Sequence, residues 1–209
     1  MNAEPSLKRT NKTTLSDEEL LILDVLFDAG DTFEALLKEN YASWHNLPYT
    51  HMLETKLLRE LIDKLLSNGI IKSYVSNNRL FYALTAAGGK LWEAERTPDW
   101  ERFCVDSSTV DDHGNWTLSV ESPSRTTAKA FVECAKDCSL YKFNADDMRT
   151  TTAIDGKIST VEWRTFPAVC SISIQTYTLP EVNKVDWNKY ENRRIWWRGL
   201  PELAKFQVS

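Results

Sequence analysis

The 209-residue sequence predicts an α+β protein in two parts: a helical first half closed by a two-stranded hairpin and a further helix, then a small antiparallel sheet backed by one helix. Three observations carry this. Apolar residues recur at spacings of three and four as far as Ser67, then give way to two β-rich runs on either side of Ser76-Asn77-Asn78. The tryptophans divide unevenly, with Trp44 alone in the first ninety residues and seven after it. That shift places a boundary at Thr97-Pro98-Asp99, where Pro98 disfavours continuing the preceding helix. The organisation expected is a loose arm over 1–14, one domain over 15–97, and an α+β domain over 98–209 with an aromatic C-terminal segment.

Each element has a local cause. Ser16 and Glu19 form a capping box opening a first helix through Leu20, Leu23 and Phe27, with Gly30 as its stop. Asp31 and Glu34 repeat that spacing and predict a short second helix starting at Asp31. A third helix is expected from about Thr50 to Ser67, carrying Leu53, Leu57, Leu58, Leu61, Ile62, Leu65 and Leu66, and ending at Gly69. Residues 70–75 and 79–84 form the hairpin. Thr85 then caps a fourth helix reaching Trp92 and Ala94, in which Gly88 and Gly89 imply close approach of another backbone.

The second half reads as a ββαββ unit. Strands are expected at 103–106 and 116–120, around the polar turn Asp111-Asp112-His113-Gly114-Asn115. Pro123 opens a helix carrying Ala128, Phe131, Val132 and Ala135. Asp155-Gly156 marks a turn before a strand over 157–166, and alternation is clear in the last strand, 168–178.

Composition narrows the function. With 42% hydrophobic residues, seven Gly and seven Pro, the chain is ordered rather than low-complexity. No run approaches the roughly 18 apolar residues of a membrane span, and the first residues lack a hydrophobic signal region, so a cytosolic protein is expected. Cys104, Cys134, Cys138 and Cys170 match neither a redox pair nor a zinc finger and read as reduced, packed thiols. Nucleotide-cradling loops and hydrolase, kinase and metalloprotease signatures are absent; no cofactor, metal or catalytic residue is expected. Asp111-Asp112 beside His113, and Asp146-Asp147, could hold a cation or transfer protons, but polar turns and caps use the same residues.

From Leu61 to Trp92 the order Leu-x-x-x-Gly-Ile-Ile, polar turn, Phe-Tyr-x-Leu-Thr and x-x-Gly-Gly resembles winged-helix domains of the MarR and PadR type, with the likeness covering residues 15–96. It implies a third helix that could enter a DNA groove and a hairpin wing that could touch phosphate, which would assign Lys56, Arg59, Lys72 and Arg79 to DNA. Charge opposes that reading. Residues 1–97 carry 11 basic and 14 acidic side chains and residues 98–209 carry 14 and 16, so the halves are −3 and −2 of a net −5. Phosphate binding rests on cations, and neither half is a basic module.

The whole-chain layout, ending in Trp196-Trp197-Arg198-Gly199-Leu200-Pro201, is similar to bacterial immunity proteins that occlude a toxin. That resemblance implies a non-enzymatic protein-binding module. Acidic and aromatic residues are its candidate contacts: Asp111, Asp112, Asp146, Asp147, Trp163, Trp196, Trp197 and Arg198. The alternative is a DNA-binding regulator whose second half senses a ligand or dimerises.

Overall fold

A computed structural model describes residues 15–27, 30–38, 53–112, 116–137 and 148–176. The arm, the Thr50 start of the third helix, all three histidines, Cys138, Asp146, Asp147, Trp196, Trp197 and Arg198 lie outside the described residues.

Helix α1 spans Asp17–Leu26 and begins with the expected capping box: the Glu19 amide donates to Ser16 Oγ and the Ser16 amide to Glu19 Oε2. Strand β1, Asp31–Thr32, corrects the second helix start. Thr32, not Asp31, accepts the amide of Ala35, so helix α2 covers Phe33–Lys38 and Asp31 becomes free to pair in a sheet. Helix α3 is Thr55–Ser67, with Leu58, Ile62 and Leu65 buried; Leu53 and Glu54 precede it in non-helical conformation. Strands β2, Ile71–Ser76, and β3, Arg79–Leu84, are joined by Asn77 and Asn78, both at positive φ, the backbone of a two-residue hairpin turn. Thr85 Oγ1 accepts the Gly88 amide and opens α4, Ala86–Arg96. The sheet order is β1-β3-β2, all antiparallel. Three helices, a three-stranded sheet with its hairpin, and a closing helix are the element order of a winged helix.

A 3-10 turn at Trp100–Arg102 leads to the second sheet: β4, Val105–Val110, and β5, Trp116–Ser122, then helix α5, Arg125–Asp137, then β6, Met148–Gly156, and β7, Phe166–Thr176. The order is β4-β5-β7-β6, antiparallel throughout. The ββαββ pattern holds, but its third strand is not the expected one. Thr-rich β6 forms the strand, Asp155 at φ 53 lies near its end, and residues 157–165 are an irregular loop. The reason is burial: Ile158 and Val161 leave the sheet to fill the core of the winged helix.

Two cores result. Helix α5 seats Ala128, Phe131, Val132 and Ala135 on Leu118, Val120, Cys170, Ile172 and Ile174. The larger core crosses the junction at residue 97, joining Leu23, Leu26, Phe27, Leu58 and Trp92 to Phe103, Ile158, Val161, Phe166 and Val169. Trp92 is fully buried at its middle, stacked on Phe27 at 4.9 Å and edge-on to Trp163 at 6.2 Å. Its indole N–H donates to buried Asp24, 2.8 Å away, and Arg96 reaches the same carboxylate with Nε at 2.9 Å and Nη2 at 2.5 Å. One carboxylate with three donors therefore fastens α1 to α4.

The adjacent glycines serve two contacts. A Cβ on Gly88 would strike the Ile70 carbonyl oxygen, the close backbone approach expected; one on Gly89 would enter the Trp163 ring. Asp24→Ala should cost about 3 kcal/mol, because it strands Arg96 and the Trp92 N–H. Gly89→Ala should cost about 1–3 kcal/mol by displacing Trp163. Urea midpoints of the two variants against the parent check both.

Candidate binding surface

A winged helix offers its third helix and its hairpin, and the exposed chemistry of these two elements is mixed. On α3 the outward residues include Lys56, Arg59, Glu60, Asp63 and Lys64, because Leu58, Ile62 and Leu65 turn inward at helical spacing. Most of the cations are engaged. Lys64 Nζ lies 2.8 Å from the Glu19 carboxylate, Lys56 lies 3.9 Å from Glu60 one turn on, and the Arg59 guanidinium sits 5.0 Å above the Phe33 ring. An exposed pair such as Lys56–Glu60 adds little stability, but its two charges sum to zero, which leaves no net cation for a phosphate to meet.

The wing divides by strand alternation. Ile71, Tyr82 and Leu84 are buried, so residues of the same parity, Ser73, Val75 and Leu80, continue that inward face toward the tip. Val75 and Leu80 are register partners, 71% and 48% exposed, an apolar pair beyond the reach of the core. The other face carries Lys72, Tyr74, Arg79 and Phe81, with Tyr74 stacked on Phe81 at 5.5 Å. Lys72 is 3.9 Å from Glu162 of the 157–165 loop, which covers the base of this face. Lys56 and Arg59 on α3 thus lie toward one side of the wing, while Lys72 and Arg79 project from the other.

Between the wing and that loop is a cleft of about 260 Å³, bordered by Phe27, Gly30, Tyr74, Thr160, Glu162 and Trp163. Trp163 is half-buried, and its Nε1 donates to the Phe27 carbonyl oxygen at 2.6 Å. Arg164 donates to Glu93 and lies 4.7 Å from the Trp100 ring and 5.1 Å from that of Phe166. Trp163 is therefore a fastener of the junction between halves. Asp111 and Asp112 are exposed at the opposite end of β4 from Phe103, about 20 Å along a six-residue strand from the junction. The structure does not bring them near Trp163.

Tyr82 has the displaced titration of this region: burial pushes its hydroxyl above the ordinary 10.0, Asp63 and Glu34 add to the rise, and Arg59 opposes it. Sequence reasoning overlooked Val75 and Leu80 as surface groups. The alternation that marks them was present, but it gives the face and not the distance at which the core ends.

No protein-family model matches this sequence, and no curated protein does. Among solved structures, a transcriptional regulator from Clostridium thermocellum aligns over 39% of this chain and 84% of its own, at 22% identity and a TM-score of 0.32. The winged-helix assignment rests on the helix and strand order above, independent of that likeness. Among the described residues, no helix is long and apolar enough to cross a membrane.

Because Tyr82 is held protonated in the folded state, its contribution to stability is intact below the unfolded value of 10.0 and is lost as pH rises through the higher folded value. Tyr82→Phe should flatten the alkaline limb of a stability profile measured by urea unfolding from pH 9 upward. An unchanged limb would assign the alkaline loss to other groups.

Proposed function

We propose that this protein is a non-enzymatic binding module that docks a partner protein through the wing and the adjoining face of α3. The observation that carries the reading is the exposed Val75–Leu80 pair at the wing, where a phosphate-binding wing needs cations. Apolar side chains rimmed by charged ones of both signs suit a protein interface, in which buried apolar anchors supply affinity and a polar rim sets register. The net charge of −5 favours a basic partner through encounter rate more than through affinity. An enzymatic toxin with a basic cleft is the partner class this account proposes, with neutralisation by occlusion as the consequence.

A second reading, DNA binding by a regulator, is favoured by one specific observation: the winged-helix order presents Arg59 on its third helix and Arg79 beside the wing turn, both exposed. The two readings respond oppositely to the same variants. Under the first, Val75→Asp with Leu80→Asp should abolish capture of a partner from the native organism, and Lys72→Ala with Arg79→Ala, on the opposite face of the wing, should leave it near parent level. Under the second, DNA retardation at low salt should weaken in the Lys56, Arg59, Lys72 and Arg79 alanine variants and fall steeply as salt rises. Capture of no protein whose activity the chain inhibits, together with salt-sensitive DNA retardation, would replace the first reading by the second.

A further inference from the structure

Strand β6 is an edge strand with few of the usual defences. Its nine residues, Met-Arg-Thr-Thr-Thr-Ala-Ile-Asp-Gly, contain no Lys and no Pro, and among the described residues its hydrogen-bonding partner is β7, on one side alone. Edge strands of this length are ordinarily blunted by such residues or covered, because their free amide and carbonyl groups can pair with another chain. Eight of the nine residues are exposed. Register places Met148, Thr150, Thr152 and Ile154 opposite Ile174, Ile172, Cys170 and Ala168, hence on the face of the sheet that carries α5. The core under α5 draws on β5 and β7 and takes no residue from β6. Ile154 is left 83% exposed and Met148 38%.

The strand is also self-complementary in charge. Its two ionisable residues, Arg149 and Asp155, lie three positions to either side of Thr152. When two copies pair antiparallel about a two-fold axis at Thr152, Arg149 of each lies level with Asp155 of the partner subunit, where the left-handed backbone of Asp155 at φ 53 ends the regular ladder and leaves its carboxylate within the reach of the long Arg149 side chain. Thr150 then meets Ile154 of the partner subunit, and Thr152 meets its own copy. An isologous interface demands this property, that residue i meets j while j meets i. The other edge does not have it: β4 carries Asp106 as its one charge and runs into Asp111 and Asp112, so a self-paired β4 gains no opposite-charge contact.

We propose that β6 is a homodimerisation edge, at which two copies of this chain pair antiparallel about Thr152 into one eight-stranded sheet. The axis stands perpendicular to the sheet, so both α5 helices lie on the same face. They flank a floor made by Met148 and Ile154 from each copy. This interface is separate from the wing and does not depend on what the wing binds. Pairing of one strand per copy is a small interface, so the dimer should be weak, with a dissociation constant on the order of micromolar.

Sedimentation equilibrium of the full chain across a concentration series tests the proposal. The parent, 24.0 kDa as a monomer, should move reversibly toward twice that mass as concentration rises. Arg149→Asp alone and Asp155→Lys alone should each weaken association by about tenfold or more, since each places like charges at both symmetric positions. An equimolar mixture of the two variants should recover the dimer, because both cross-pairs are then opposite in sign. That recovery also shows that the variants are folded. A parent monomeric at every concentration, single variants that associate like the parent, a mixture that stays monomeric, or growth beyond a dimer would each overturn the proposal.

Discussion

The indole of Trp92 occupies the one position on which both halves of the molecule depend. Its ring is stacked on Phe27 at the end of α1 and met edge-on by Trp163 from the second half, while its N–H is held by the buried carboxylate of Asp24. Trp100 and Phe103 follow within eleven residues and turn their rings against one another at 5.4 Å, and Trp100 meets Phe166 at 5.2 Å. Aromatic side chains each bury about 150–250 Å², so this group supplies a large share of the apolar area that the junction removes from water. Its polar edges are satisfied in place: Trp100 Nε1 donates to Glu93, Trp163 Nε1 to the Phe27 carbonyl, and Ser122 Oγ to the Phe103 carbonyl.

This arrangement explains why the 157–165 segment is irregular. A strand there would alternate Ile158, Val161 and Trp163 between two faces of the sheet. The loop instead directs Ile158 and Val161 into one core and lays Trp163 against Gly89, where no Cβ obstructs the ring. The Ser159 amide donates to Glu121 of β5 at 2.7 Å, tying the loop back to its own sheet. The 157–165 loop meets the wing at its base, where Lys72 lies 3.9 Å from Glu162, and the tip is bare.

Much of the fold was legible in the sequence, because its signals are local. The capping box of α1, the hairpin turn and the Thr85 cap each act within four residues, and all three form, the turn shortened to Asn77-Asn78 because Ser76 pairs with Arg79 in the sheet. What escaped was set at long range. Strand β1 is two residues long and exists through pairing with Tyr82 and Phe81. Strand β6 has few apolar residues to announce it and is held by β7. The junction core reaches from residue 20 to residue 169, and no window of the sequence displays such a contact. The candidate surface was harder still. Trp163 is chemically suited to an interface, yet its place is decided by Gly89 and the Phe27 carbonyl, 74 and 136 residues away.

If the Trp92 junction makes one cooperative body of the two halves, unfolding has no stage at which one half stands alone. Urea unfolding followed at once by the tryptophan fluorescence of a variant that keeps Trp92, Trp100 and Trp163 and carries Phe at the other five tryptophans, so that emission reports the junction, and by far-ultraviolet circular dichroism, which reports both sheets and all helices, is the most direct measurement. The account predicts coincident transitions with a single midpoint and a slope appropriate to the whole chain. Two resolved transitions, with fluorescence changing while half the secondary structure persists, would contradict it.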